Sequence, residues 1–175
     1  MTRALMLIDV QRNMLEPPAP VPSAASIRDA LEDLLLGARR AGALVVHVQN
    51  DGSPGEPDEP GTVGWQLFFP VSAGERIVRK DQSDAFAADP LLAKGLADQQ
   101  ITEVVIAGMQ SNYCVADSCR GALNRGLQVI LTSGAHATYD ESEPASGISA
   151  RIERELAAEG VTVLPFGEVS FGGPA

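Results

Sequence analysis

Glu103-Val104-Val105-Ile106-Ala107, followed directly by Gly108-Met109-Gln110-Ser111-Asn112-Tyr113-Cys114-Val115, reads as a buried strand turning into a helix. Val104 to Ala107 has no polar face, as expected of a strand covered on both sides. Ser111–Arg125 takes a helical pattern that Gly126 ends. The same alternation runs outward in both directions. Toward the N-terminus, Ala4–Val10 is an apolar run broken only by Asp9 and too short for a helix. Ser23–Ala41 places Ile27, Leu31, Leu34 and Leu35 at helical spacing and closes at Gly42. Leu44–Val48 and Arg76–Lys80 read as further strands, and Leu91–Asp98 as a helix. Toward the C-terminus, Gln128–Leu131 is a fifth strand, Ile148–Ala158 a helix ended by Gly160, and Val161–Leu164 a sixth strand. Such an alternation predicts an α/β protein: a three-layer α/β/α sandwich on a doubly wound, parallel, six-stranded sheet in the order 3-2-1-4-5-6. No internal repeat of solenoid period is present.

Size and charge agree with that reading. A chain of 175 residues fits one domain, residues 1–175, and one core without staples. The formal charge of −10 argues against nucleic acid as a partner, since phosphate binding needs a basic face. No apolar run reaches the roughly 18–20 residues of a membrane span. The apolar stretch Ala4–Ile8 is too short for a signal peptide. Two cysteines, Cys114 and Cys119, make no disulfide framework. The expectation is a cytoplasmic protein that acts on a small molecule.

Two stretches break the alternation. Glu16–Pro22 is a stiff proline-rich loop. Asn50–Gly64 holds seven Gly or Pro among fifteen residues, together with Asp51, Glu56, Asp58 and Glu59. It follows the carboxyl end of a strand, where open α/β sheets bind ligands, so it reads as a wall or lid of a site. Its acidic side chains read as solvated. Trp65 and the Leu67–Phe68–Phe69 run beyond it should pack over the pocket or against a second subunit, and the apolar 65–70 segment predicts a homodimer or higher homo-oligomer.

The candidate chemistry lies at strand ends. Asp9 ends an apolar strand, where packing does not explain a carboxylate; the alternative is a turn former, although residues 10–15 show no helix start. Lys80 ends the third strand in the same way. Cys114 falls in the first turn of the helix after the fourth strand, where backbone N–H groups favour a thiolate; its alternative is a buried structural thiol. Cys119, rotated away by about 140°, reads as inert. Strands one and four are neighbours in the predicted order, so Asp9 and Cys114 should face each other with Lys80 on the same rim. A nucleophile, a base and a cation form a coherent set.

These residues also carry a resemblance. Leu7-Ile8-Asp9-Val10-Gln11, Lys80 with Asp84-Ala85-Phe86, and Ala107 through Val115 resemble the three signatures of the isochorismatase-like cysteine hydrolases, in the expected order over nearly the whole chain. The resemblance implies Cys114 as nucleophile, Asp9 as general acid/base and Lys80 as the charge that orients and activates both. It also implies a non-proline cis peptide at Met109–Gln110, with the Gln110 and Cys114 amides as an oxyanion hole. Gln11, Trp65, Phe86, Gln110 and Tyr113 become candidate substrate contacts by their place in the motifs. Nicotinamidases of this superfamily carry an Asp-x-His and a further His for a metal. Here the stretch reads Val46-His47-Val48-Gln49-Asn50-Asp51, and His47 and His136 are the only histidines. No metal and no cofactor are therefore expected. His47 reads as a hydrogen-bonded core residue; His136, after the fifth strand, lines the pocket or is structural.

The implied reaction is hydrolysis of an amide, ureido or lactam C–N bond through a thioester, with Lys80 and the helix N-terminus lowering the thiol pKa. The alternatives are vinyl ether hydrolysis of the isochorismatase type, which needs no cysteine nucleophile, and a non-catalytic association domain. A redox-sensing cysteine has less support, because Cys119 faces away.

Overall fold

The computed structural model describes residues 2–172 of the chain. Its strands are β1 (Thr2–Ile8), β2 (Leu44–Asn50), β3 (Arg76–Lys80), β4 (Ile101–Met109), β5 (Gln128–Ala137) and β6 (Thr162–Pro165). The helices are α1 (Arg12–Leu15), α2 (Ala24–Arg40), α3 (Ala85–Ala88), α4 (Leu92–Asp98), α5 (Ala116–Leu123) and α6 (Ala145–Ala158). The sheet runs β3-β2-β1-β4-β5-β6 with every neighbouring pair parallel, which is the predicted order. No helix among the described residues is long and apolar enough to cross a membrane.

The period of two in β1 explains the layers. Ala4, Met6 and Ile8 enter one core with residues of α3, α4, α5 and α6, whereas Leu5 and Leu7 enter the other with α1 and α2. All five are fully buried, so the central strand has no polar face to give away. At Gly108 (φ 122°) β4 passes so close to β1 that a Cβ would clash with the Ile8 carbonyl. Glycine is required there by both space and backbone.

Three expectations need correction. Residues 12–15 do form a helical turn; no side chain caps it, and the Arg12 and Asn13 amides donate instead to the Gln66 and Gly64 carbonyls. Tertiary contacts thus replace the local signal. The fifth strand continues from Leu131 to Ala137, past a register irregularity, so the polar Thr132-Ser133-Gly134 stretch interrupts the pattern but not the strand. The helix after β4 opens with a π-helical turn over Ser111–Val115, and regular α-helix starts only at Ala116.

Phe68 and Phe69 pack half-buried on the α2 side of the sheet, edge to face with centroids 5.0 Å apart. Part of the apolar 65–70 segment is therefore used within the chain.

Glu75 ties α2 to the sheet. It accepts from Arg39 at 2.7 and 3.0 Å and from the Ser72 amide at 2.8 Å, and lies 2.9 Å from His47 Nε2. Burial pushes its pKa up, but these donors outweigh it and hold the carboxyl at about 2 against an ordinary 4.5. The folded pKa lies below the unfolded one, so the contribution is full above about 4.5 and is lost as pH falls toward 2. Its size is on the order of 3 kcal/mol. Glu75→Gln should lower stability at neutral pH and flatten this acid limb, read as urea midpoints across the range.

Candidate active site

Four strand ends build the site. Asp9 follows β1 in a left-handed backbone conformation (φ 48°), Asn50 ends β2, Lys80 ends β3, and Gln110 follows β4 and leads to Cys114. The Lys80 ammonium is fully enclosed and spends its three protons on three partners: Asp9 Oδ2 at 2.9 Å, Asn50 Oδ1 at 3.0 Å and Cys114 Sγ at 3.3 Å. Asn50 is oriented in turn, since its Nδ2 donates to Asp58 Oδ2 at 2.7 Å. Asp9 Oδ1 is buried with no hydrogen-bond partner. Asp9 and Cys114 line a cavity of about 370 Å³, walled by Asn13, Met14 and Asn50, by Glu56, Pro57 and Asp58 of the long loop, and by Gln110, Tyr113 and Tyr139. Thus the 50–64 loop supplies a wall, and two of its acidic residues face the cavity rather than bulk solvent alone.

Charges in the cluster are set by burial. Desolvation raises the Asp9 pKa above its ordinary value, against the opposing pull of Lys80. For Lys80, burial works to lower the pKa, but Asp9 and Cys114 outweigh it and the net direction is up. The Cys114 thiol is pushed up to about 12, first by burial and then by the Asp9 charge, with Lys80 opposing. The thiol therefore rests neutral at neutral pH, beside the Lys80 ammonium and an Asp9 carboxyl whose hold on a proton burial has strengthened. Lys80 does act to lower the thiol pKa, as expected, but burial and Asp9 outweigh it and the net direction is up. Asp9 already neutralises Lys80, and a thiolate would be an uncompensated buried charge.

The family model described as Isochorismatase domain matches residues 3–158. The chain belongs to the isochorismatase family. It is 48% identical over 140 residues to a streptothricin hydrolase from Streptomyces noursei, a match covering 79% of this chain and 55% of that one. It is 28% identical over 149 residues to a maleamate amidohydrolase from Pseudomonas putida, covering 73% and 68%. An isochorismatase from Pseudomonas putida KT2440, known from a crystal structure, shares the fold with a TM-score of 0.87 at 23% identity, covering 95% and 89%. The chain spans about half the length of the streptothricin hydrolases it matches.

Within this isochorismatase-family chain, the residues singled out by sequence do not all gather at one place. Asp9, Lys80 and Cys114 come together, and Gln110 and Tyr113 line their cavity. The cis peptide at Met109–Gln110 is present, and the Gln110 carbonyl accepts from both the Tyr113 and Val115 amides at 3.1 Å. Gln11 is close but serves the frame: fully buried, it bonds the Asn50 backbone through both ends of its amide and donates to the Trp65 carbonyl. Trp65 stands outside the cavity, with its indole N–H on Asp51 at 2.8 Å and Arg79 stacked 4.9 Å over the ring. Phe86 is a correction, because it has no exposed surface and belongs to the core under α5.

His136 is a second correction. It lies behind the nucleophile turn, on a separate cavity of about 530 Å³, 2.8 Å from Ser111 Oγ and 3.1 Å from Glu153. Ser111 also meets Ser149 of α6 at 2.9 Å, and Thr138 donates to Asn112 at 2.7 Å. The end of β5 thus pins the turn that carries Cys114. A metal of the nicotinamidase kind does not fit here. His47 faces Glu75, and Asp51 is held by Trp65 and Arg79. Among the described residues no three His, Cys, Asp or Glu side chains gather as a ligand set.

Asn50 and Tyr139 were missed by sequence reading. Asn50 had a usable signal, being a polar strand end like Asp9 and Lys80; Tyr139 had none.

The neutral resting thiol has a measurable consequence. Iodoacetamide should label Cys114 more slowly than a free thiol at neutral pH, with a rate that climbs through the alkaline range. Cys119, fully buried and also at about 12, should resist until the chain unfolds. Peptide mapping across pH checks both.

Proposed function

We propose that the chain is a cysteine-dependent hydrolase that cleaves an amide, ureido or lactam C–N bond of a small molecule. The observation that carries this reading is the single ammonium shared by Asp9, Asn50 and Cys114, beside a carboxylate oxygen with no partner. Because a lone thiolate is disfavoured, ionisation is coupled. The thiol proton passes to Asp9, leaving the net charge of the cluster unchanged, while Lys80 stabilises the sulfur anion. The thiolate attacks the carbonyl carbon, and the Gln110 and Cys114 amides hold the oxyanion; one such donor is typically worth about 10²–10³ in rate. Asp9 returns its proton to the leaving nitrogen as the C–N bond breaks and a thioester forms. It then takes a proton from water, whose oxygen attacks the thioester; the acid leaves and Cys114 regains its proton. A raised Asp9 pKa suits it to both roles.

The names of the relatives set the panel to test. Streptothricin, maleamate, simple primary amides, ureido compounds and lactams are to be screened for release of the amine or opening of the ring, with and without a chelator. At least one should be turned over, chelation should change the rate by less than about twofold, and rapid quench should trap an acyl adduct on Cys114. Turnover without any adduct, or loss of turnover on chelation with recovery on adding metal, overturns the reading.

A further inference from the structure

We infer that the cavity over Cys114 selects a substrate carrying a protonated amine, amidine or guanidinium away from the cleaved bond; this rests on the hydrolytic reading above and specifies its substrate class. The argument is a count of donors and acceptors. Lys80 has no proton left for a ligand. Tyr113 donates its hydroxyl proton to Glu141, Tyr139 to the Ala19 carbonyl, and Asn50 one of its two amide protons to Asp58. Asp9 Oδ1 and Asn13 Oδ1 are buried without partners, and both residues line the cavity. Leaving a buried acceptor without a donor is costly, and a ligand N–H removes that cost.

Charge points the same way. Asp9 and Lys80 cancel, so the excess comes from Glu56 and Asp58 on the loop wall. Neither makes an ion pair with a basic side chain among the described residues, and no Arg or Lys lines the cavity. The remaining donors, the Gln110 and Cys114 backbone amides assigned to the oxyanion, the second Asn50 amide proton and the side-chain amides of Gln110 and Asn13, carry no charge. A carboxylate entering here would meet two negative groups and no cation, whereas an ammonium gains both and adds donors. Asp9 supplies the acceptor at the reacting end, and Glu56 with Asp58 reads the far end.

Binding tests this without turnover. Cys114→Ala in the full chain is titrated calorimetrically with a short ω-amino amide, its ω-hydroxy isostere and its ω-carboxy counterpart. The expected order of affinity is amino, hydroxy, carboxy, with at least about a tenfold gap between the first two at low salt that narrows as ionic strength rises. Glu56→Lys should shrink or reverse the gap. Should the alanine variant not fold, protection of wild-type Cys114 from alkylation by the same three compounds gives the same ranking. Equal affinities, preference for the hydroxy or carboxy compound, or no binding of the amino amide overturns the inference. The two readings fail separately. An ammonium preference without hydrolysis of any amide removes the hydrolytic reading alone, and hydrolysis without the preference removes this one alone.

Discussion

Cys114→Ala should retain its fold and lose turnover by about 10⁴-fold or more on the best substrate found. The mechanism routes bond formation through one atom, and no neighbouring group replaces it. Cys119 is buried in the core of α5 and cannot reach the cavity. Asp9 with a bound water is the remaining route, and it lacks the covalent step that divides the reaction. Stability should change little, because Lys80 keeps Asp9 and Asn50 as partners when the 3.3 Å contact to sulfur is gone. Cys114→Ser is the sharper control. It keeps the size and the hydrogen bond, but a hydroxyl gives up its proton far less readily than a thiol, so turnover should stay close to that of the alanine form. Steady-state rates, thermal melts and intact mass under rapid quench are the measurements. A folded alanine variant with near-normal turnover would shift the chemistry to water activated by Asp9, as in vinyl ether hydrolysis.

Much of the frame was legible because burial leaves no freedom in the sequence. A strand such as β1, covered on both faces, must be apolar throughout, and Asp9 at its end stands out for that reason. Lys80 and Cys114 were legible for related reasons. Asn50 occupies the same structural position and carries the same polar strand-end signal, but Asn-Asp-Gly after a strand also fits ordinary turn chemistry, and that reading covered it. Phe86 was misread because its place in a motif says nothing about which side of a one-turn helix it faces. The extent of β5 was obscured by Thr132-Ser133-Gly134, where parallel pairing outweighs local propensity. The thiol pKa was beyond local reading altogether. It depends on the balance of Asp9, Lys80 and burial, groups brought in by three different strands.

The pair of Asp9 and Lys80 separates catalysis from folding, and a double-mutant cycle should show it. Lys80→Met leaves a carboxylate that is 2% exposed without its cation. Breaking a buried pair from one side typically costs about 3–5 kcal/mol, and the carboxyl escapes part of that cost by taking up a proton. Asp9→Asn leaves Lys80 with Asn50 and the sulfur but no anion, so it too should destabilise. The double variant Asp9→Asn/Lys80→Met buries no charge, and its stability should return to within about 1–2 kcal/mol of the native chain. Activity should behave otherwise. Each single change removes either the proton carrier or the charge that stabilises sulfur, lowering kcat by orders of magnitude, and the double variant lacks both. Urea melts should therefore show strong coupling with recovery, whereas kcat shows no recovery. If activity rose with stability in the double variant, the pair would be holding the strand ends together rather than moving a proton. With stability restored and turnover still absent, packing can no longer account for the loss, and the proton path through Asp9 is left as its cause.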